Sequence, residues 1–285
     1  MKNAIEIKDL KKNYSNFSLE INNLKIPEGI IVGLIGENGA GKTTLIKSIL
    51  SIIKKDSGTI KIFDKDYIKE ESTIKEDIGV VLDNMFFPEI LNAKDIDATM
   101  KGIFKNWDSK MFFQYLKNFG IPSNKKIKEL SKGMRKKLEI ATALSHKPKL
   151  LILDEPTSGL DPVVRNEVLD IFLDFIKDED HTILLSTHIT SDLEHIADRI
   201  VFIDKGQIVM DSLRDELIDN YGIIKCDSRY FDKINKEDII RYKKNRYDIQ
   251  ILVSNRNKLN KKYKDCVIDK ITLEDLMVLM IKGEK

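Results

Sequence analysis

Apolar residues alternate with polar ones along residues 4–10 (AIEIKDL) and 17–22 (FSLEIN), a period of two that predicts antiparallel strands with one wet face. Continuous apolar runs at 30–32, 78–82 (IGVVL), 150–153 (LLIL) and 182–186 (TILLS) instead predict strands buried on both faces, as in a parallel sheet. Between them, helical spacing links Leu45, Ile46, Ile49, Leu50 and Ile53, then Met134, Leu138, Ala141 and Leu144, and a third helix opens at Pro162 and runs to about residue 177. A turn and short strand at 56–66, a polar helix before residue 78 and a helix-rich stretch at 92–119 around Trp107 fill the gaps. Residues 200–204 and 207–210, joined at Lys205-Gly206, predict a closing hairpin. The whole is an α/β pattern with an antiparallel β subdomain in front and a helical insertion at about 88–145.

From about residue 214 the mixture repeats on a smaller scale. Strands are predicted at 221–225 and 247–253, followed by an amphipathic helix at 272–281 that Thr272 caps. This predicts a core over residues 1–213 and a C-terminal α/β appendage over 214–285, whose basic runs at 243–246 and 261–264 read as solvated surface.

Residues 33–44, GLIGENGAGKTT, turn pattern into chemistry, because they fit G-x-x-x-x-G-K-[ST] from Gly36 to Thr43 and stand between an apolar strand and an apolar helix. A loop that wraps phosphate oxygens must point backbone N–H groups inward, and side chains at Gly36, Gly39 or Gly41 would obstruct the approach. Glu37, Asn38, Ala40 and Thr44 complete the cradle, Lys42 reaches the β- and γ-phosphates, and the Thr43 hydroxyl is a Mg²⁺ ligand. The ligand predicted is a nucleoside triphosphate.

The second dense block is KELSKGMRKKLEIATALSHKPKLLILDEPTSGLD, residues 128–161. Ser131 reads as an N-cap, and Arg135, Lys136 and Lys137 read as a solvated basic face of the helix that follows. The buried strand at 150–153 stops at Asp154 and Glu155, on the edge where α/β sheets hold their ligands. There Asp154 suits Mg²⁺, Glu155 suits orienting and polarising a water, and His188 past the next buried strand suits a γ-phosphate. His146, His181 and His195, away from strand ends, read as structural. Tyr14, in the turn between the first two strands, either stacks on a base or half-buries in its hairpin, and position alone leaves both open. Trp107 reads as core filling of the insertion.

Composition narrows the class. Forty-two per cent hydrophobic and 33% charged residues over 285 positions fit a globular chain, and a net charge of +2 argues against a nucleic-acid binder. No run approaches the ~20 apolar residues of a spanning helix, and the first ten residues lack an apolar signal core, which predicts a cytoplasmic protein. Cys226 and Cys266 lack metal-ligand spacing and read as incidental.

In this order, the motifs resemble those of the ATP-binding-cassette (ABC) transporter ATPases, a P-loop NTPase fold, over residues 1 to about 217. GENGAGKT is similar to that family's Walker A, LLILDE to its Walker B, LSKGM (residues 130–134) to its signature, SGLD (158–161) to its D-loop and His188 to its switch histidine. The resemblance assigns Tyr14 to adenine stacking. It implies that Ser131, Gly133 and Met134 of one subunit, with Asp161, close over the ATP of a second, so that two ATPs hold a dimer, most simply a homodimer. It also implies a separate transmembrane subunit, docked near residues 83–89 with the Phe86, Phe87, Pro88 turn as contact, and a place on the inner face of the cell membrane. Two departures stand out: Asp83 replaces the family's glutamine, leaving a carboxylate that reaches Mg²⁺ through water, and Met134 replaces the signature glutamine. The tail resembles those of bacterial peptide and drug exporters. A soluble relative acting on nucleic acid or ribosomes is the alternative, but the chain lacks a long heptad arm, a Cys pair with metal-ligand spacing and a second cassette.

Overall fold

A computed structural model describes residues 2–67, 69–83 and 87–284. Two long strands, β1 (Asn3–Tyr14) and β2 (Phe17–Pro27), pair in antiparallel register and continue through β4 (Ser57–Ile62) and β5 (Lys65–Asp66) into a four-stranded sheet of order β2-β1-β4-β5. The second sheet has order β10-β9-β3-β8-β7-β6, formed by β3 (Ile31–Ile35), β6 (Ile78–Val81), β7 (Leu150–Asp154), β8 (Thr182–Ser186), β9 (Arg199–Asp204) and β10 (Gln207–Leu213). Its strands are parallel except β10, which closes the edge as a hairpin.

The buried strands read as continuous apolar runs because both faces are covered. Val32, Leu34, Leu150, Ile152 and Leu184 face the antiparallel sheet and α1 (Lys42–Ile49). Ile31, Leu151, Leu153, Ile183 and Leu185 face the helices on the other side. Each fully buried Leu or Ile there contributes about 2 kcal/mol of transfer free energy.

After α2 (Glu71–Asp77) and β6, the chain enters the insertion of α3 (Ala93–Ile103), α4 (Ser109–Asn118), a 3₁₀ turn at Ile127–Glu129 and α5 (Lys132–Leu144). These helices share a small core of their own around Ile96, Phe112 and Leu138. Trp107 packs against it and donates from Nε1 to Asp97 at 2.7 Å. Phe87 packs on the same cluster, while Phe86 lies outside the described residues. α6 (Pro162–Phe175) and α7 (Thr190–Ile196) cover the main sheet.

The chain beyond β10 is richer than its periodicity announces. It folds as α8 (Arg214–Asn220), β11 (Gly222–Cys226), α9 (Ser228–Phe231), a 3₁₀ turn at Lys236–Asp238, β12 (Arg241–Lys244), β13 (Ile249–Val253), α10 (Arg256–Lys262), β14 (Ile268–Lys270) and α11 (Leu273–Lys282). The four strands make a third, antiparallel sheet of order β12-β13-β11-β14. The basic run at 243–246 begins as edge strand β12, which the sequence leaves unassigned. α11 turns back on the main sheet's helical layer, where Leu273, Leu276 and Leu279 join the cluster that holds Leu193 and Ile196 of α7.

One expectation is overturned. Lys136 and Lys137 are not a solvated face: they are 6% and 9% exposed. Lys136 donates from Nζ to the Leu82 carbonyl at 3.0 Å and pairs with Glu139 at 2.9 Å, tying α5 to the end of β6. Lys137 pairs with Glu167 of α6. Burial raises the Glu139 carboxyl above its ordinary range, Lys136 lowers it, and the nearby Asp83 raises it again. Removing the lysine leaves a buried carboxylate without its cation, a change that costs about 3–5 kcal/mol. Lys136→Met is expected to lose stability by that order in urea unfolding at pH 8. Part of the loss should be recovered as pH falls, because a carboxyl whose folded pKa is raised binds more protons folded than unfolded and so favours the folded state on the acid side.

Candidate functional site

The parallel register brings three strand ends to one edge. Leu34 of β3 and Asp154 of β7 are both opposite Ser186 of β8, so loops far apart in sequence leave the sheet side by side. Gly41, at φ 114°, precedes the first turn of α1, and a Cβ there would come within 2.9 Å of the Phe17 ring. Gly39, at φ 85°, also needs the left-handed region. The loop is thereby drawn into a tight curl ahead of the helix N-terminus, the arrangement that presents N–H groups to an anion.

A cavity of about 380 Å³ opens over this curl. Its walls are Glu37, Asn38, Gly39, Gly41, Lys42, Thr43 and Thr44 from the loop, Asp83 after β6, Glu155 and Ser158 after β7, His188 after β8, and Phe17. Lys42 is 6% exposed and donates from Nζ to the Gly36 carbonyl at 2.8 Å and the Glu37 carbonyl at 3.3 Å. Burial pushes its ammonium below the ordinary lysine value, and the Glu155 and Asp154 carboxylates push it back up. A desolvated cation held by carbonyls in a polar cavity fits a polyanionic ligand whose oxygens replace them.

Glu155 stands at φ 51°, a left-handed conformation that costs a non-glycine residue about 1–2 kcal/mol. Its N–H donates to the Ser186 carbonyl at 3.0 Å, and the twist carries its carboxylate to 3.8 Å from Lys42 and 2.7 Å from His188 Nδ1. Asp154 is 1% exposed and accepts from the Thr43 hydroxyl at 2.9 Å and from the Ser186 hydroxyl. Thr43 and Asp154 therefore form the pair that could hold a Mg²⁺ ion, with Asp83 on the same cavity wall. A buried carboxylate whose donors are two neutral hydroxyls suits a small hard cation that completes its octahedron with phosphate oxygens and water.

Other predicted residues lie elsewhere. Gly36 and Ala40 sit behind the cavity wall, where a Cβ on Gly36 would meet the Ile203 carbonyl and Ala40 is 5% exposed. Tyr14 is 48% exposed beyond the rim, 6.4 Å from the Phe17 ring and beneath Lys12. Ser131, Gly133, Met134 and Asp161 do not line the cavity of their own chain. Ser131 caps α5 by accepting from the Met134 N–H at 3.2 Å, and Asp161 caps α6 by accepting from Val163 and Val164. Phe17, Ser158 and Ser186 are site residues that sequence reasoning missed. The signal for Ser186 was available, as a hydroxyl ending a buried strand beside the acidic strand, and Ser158 opens the SGLD motif.

Residues 19–158 match the family described as ABC transporter. The bacitracin transport ATP-binding protein BcrA of Bacillus licheniformis is 33% identical, over 99% of this chain and 99% of that one. This chain belongs to the ABC transporter family. The lantibiotic transport ATP-binding protein SrtF of Streptococcus pyogenes is 36% identical over 73% of this chain and 90% of its own. Among solved structures, an ATP binding subunit of an ABC transporter has a TM-score of 0.67 at 26% identity, covering 75% of this chain and 91% of that one. For cbiO1 from Clostridium perfringens, part of the ABC transporter complex cbiONQ, the figures are 0.64, 27%, 76% and 91%. The chain is an ATP-binding subunit that hydrolyses ATP to power a separate transmembrane subunit, and the nucleic-acid alternative is not favoured. Among the described residues, no helix is long and apolar enough to cross a membrane.

Base stacking on an aromatic ring is worth about 1–3 kcal/mol. Tyr14→Ala is expected to raise the Kd for ATP about tenfold by fluorescent-nucleotide displacement, while tripolyphosphate competes as well against the variant as against the parent. A tyrosine that only half-buries in its hairpin would leave both unchanged.

Proposed function

We propose that Glu155 is the general base of ATP hydrolysis in an exporter of peptide or drug-like compounds, with Lys42 and His188 holding the γ-phosphate. The single observation that carries this reading is the meeting of Lys42, Glu155 and His188 in one cavity, the acid within 3.8 Å of the cation and 2.7 Å of the imidazole. The loop N–H groups and Lys42 bind the triphosphate. Glu155 accepts the proton of the attacking water, and His188, fixed by its bond to Glu155, turns its other nitrogen to the γ-phosphate oxygens. Thr43 and Asp154, with Asp83 on the same cavity wall, would hold a Mg²⁺ ion, which would supply charge neutralisation at the phosphate oxygens. The export class follows the names of the relatives that transport bacitracin and lantibiotics.

The signature residues support a dimer. Ser131, Gly133 and Met134 stand at the start of α5, away from their own chain's cavity, with the Ser131 hydroxyl proton free to donate while its oxygen caps the helix. In the proposed dimer they and Asp161 meet the ATP of a second copy, so binding closes the pair and hydrolysis loosens it. The loosening is delivered to the transmembrane subunit through an apolar groove between β6 and the insertion. Two adjoining cavities of about 520 and 580 Å³ share Ile52, Ile78, Val80 and Phe104 there, with Phe87 on the wall. Docking on that groove places the chain on the inner face of the membrane.

Glu155→Gln keeps the shape of the side chain and removes the base. Phosphate release should fall roughly 10²–10⁴-fold with ATP affinity retained, and size-exclusion chromatography with ATP should show a stable dimer. Hydrolysis at the parent rate would refute the role of Glu155. Ile52 is 55% exposed on the groove. Ile52→Asp should keep the basal phosphate-release rate of the purified chain while abolishing its recovery with the membrane fraction of expressing cells, and recovery equal to the parent would remove the groove from the docking surface.

A further inference from the structure

We propose that Asp192 is a positioning residue for hydrolysis, clasping the loop that carries Glu155 to the helix that follows His188. The inference rests on the reading of Glu155 and His188 given above. Those two residues leave the sheet on different loops, after β7 and after β8; among the described residues one side-chain hydrogen bond joins them, at an exposed His188, and the Glu155 N–H is tied to the Ser186 carbonyl where β8 ends. These bonds hold the start of the Glu155 loop, and the tolerance that proton transfer requires calls for a restraint on the residues that follow it.

Asp192 supplies the missing restraint. It lies in the first turn of α7, four residues beyond His188, and is 1% exposed. Its Oδ2 accepts from the hydroxyl of Thr157 at 2.6 Å, and Thr157, itself 1% exposed, is two residues beyond Glu155 and next to the cavity residue Ser158. Its Oδ1 accepts from Nε of Arg165 on α6, whose other arm donates to Ser191 at 2.6 Å. The Arg165 guanidinium supplies this buried carboxylate with its countercharge.

A clasp positions a loop only when its own base is immobile, and α7 is held on two further sides. Leu193 presses on the backbone of β3, so closely that a Cβ at Gly33 would lie 2.7 Å from it. Glu194 accepts from the Leu273 N–H at the start of α11 at 2.7 Å. Asp192 thus hangs from a fixed helix, and Thr157 hangs from Asp192. Neither residue lines the nucleotide cavity. Loss of the clasp should therefore leave nucleotide affinity alone and displace Glu155 from its working position, where a shift of about 1 Å can lower rate on the order of 10²-fold.

Thr157→Val removes the hydroxyl and keeps the volume, and Thr157→Ser keeps the hydroxyl. In steady-state phosphate release by the purified full chain, Thr157→Val should lower kcat about 10–100-fold with KM for ATP within about twofold of the parent, while Thr157→Ser stays within about threefold in kcat. Amide deuterium uptake across residues 155–160 should rise in Thr157→Val without nucleotide. Parent-like kcat in Thr157→Val, equal losses in both variants, or a raised KM at unchanged kcat would overturn the clasp. Should Thr157→Val not fold, Arg165→Lys, which keeps the charge and loses the fork, is held to the same kcat-against-KM criterion. Glu155→Gln runs beside them. If it is inactive while Thr157→Val is not, the clasp alone fails; if it hydrolyses at the parent rate, the assignment of Glu155 fails and the clasp with it.

Discussion

Every functional feature depends on the parallel register of β3, β8 and β7. Ser186 stands opposite Leu34 on one side and Asp154 on the other, so the phosphate loop and the acidic strand end emerge at one height on neighbouring tracks. A slip of one residue would turn every side chain of β7 to the opposite face and bury Glu155 or expose Leu153. The two apolar layers resist that slip, because each strand has alternate residues committed to opposite cores. The 2.9 Å bond between Thr43 and Asp154, 111 residues apart, is the local consequence of that register.

The site stores unfavourable terms that the scaffold offsets. Lys42 is desolvated and Glu155 sits in a left-handed backbone. Each is tolerable because neighbours hold it: loop carbonyls take the Lys42 ammonium, and Ser186 takes the Glu155 N–H. Ion pairs with a buried carboxylate recur behind the site, Glu139 with Lys136 beyond the cavity wall that Asp83 lines and Asp192 with the partly exposed Arg165 behind Glu155. Such pairs contribute little net stability, but breaking one is costly, so they suit elements that must keep a fixed relation. They tie α5, α6 and α7 to the segments that border the cavity, Leu82 before Asp83 and Thr157 after Glu155.

The chain beyond residue 213 is joined to that arrangement rather than hung from it. α11 packs its leucines into the cluster under α7, and Glu194 and Arg214 add polar contacts at the same joint. The third sheet also keeps a core of its own around Ile224, Ile251 and Leu259.

The phosphate loop, the acidic strand end and His188 were legible in the sequence because each is a local pattern, with glycines where the backbone must curl and acids where an apolar run stops. The buried strands were legible for the same reason, since a strand covered on both faces has no polar rhythm. Strands β12 and β14 were not, because their residues RYKK and IDK mix charge and apolarity without a period and are strands only through their partners β13 and β11. Lys136 and Lys137 read as surface in a run of three basic residues, and only the proximity of the Leu82 carbonyl, Glu139 and Glu167 makes their burial tolerable. By itself, then, the sequence determined the motifs from which the cavity is mostly built, because that chemistry is written in contiguous residues, while Phe17 reached its wall unannounced. Which of them share one cavity, which face outward and what holds Glu155 in place were decided by the stacking of β3, β8 and β7, since contacts across a hundred residues exist only once the chain has closed on itself.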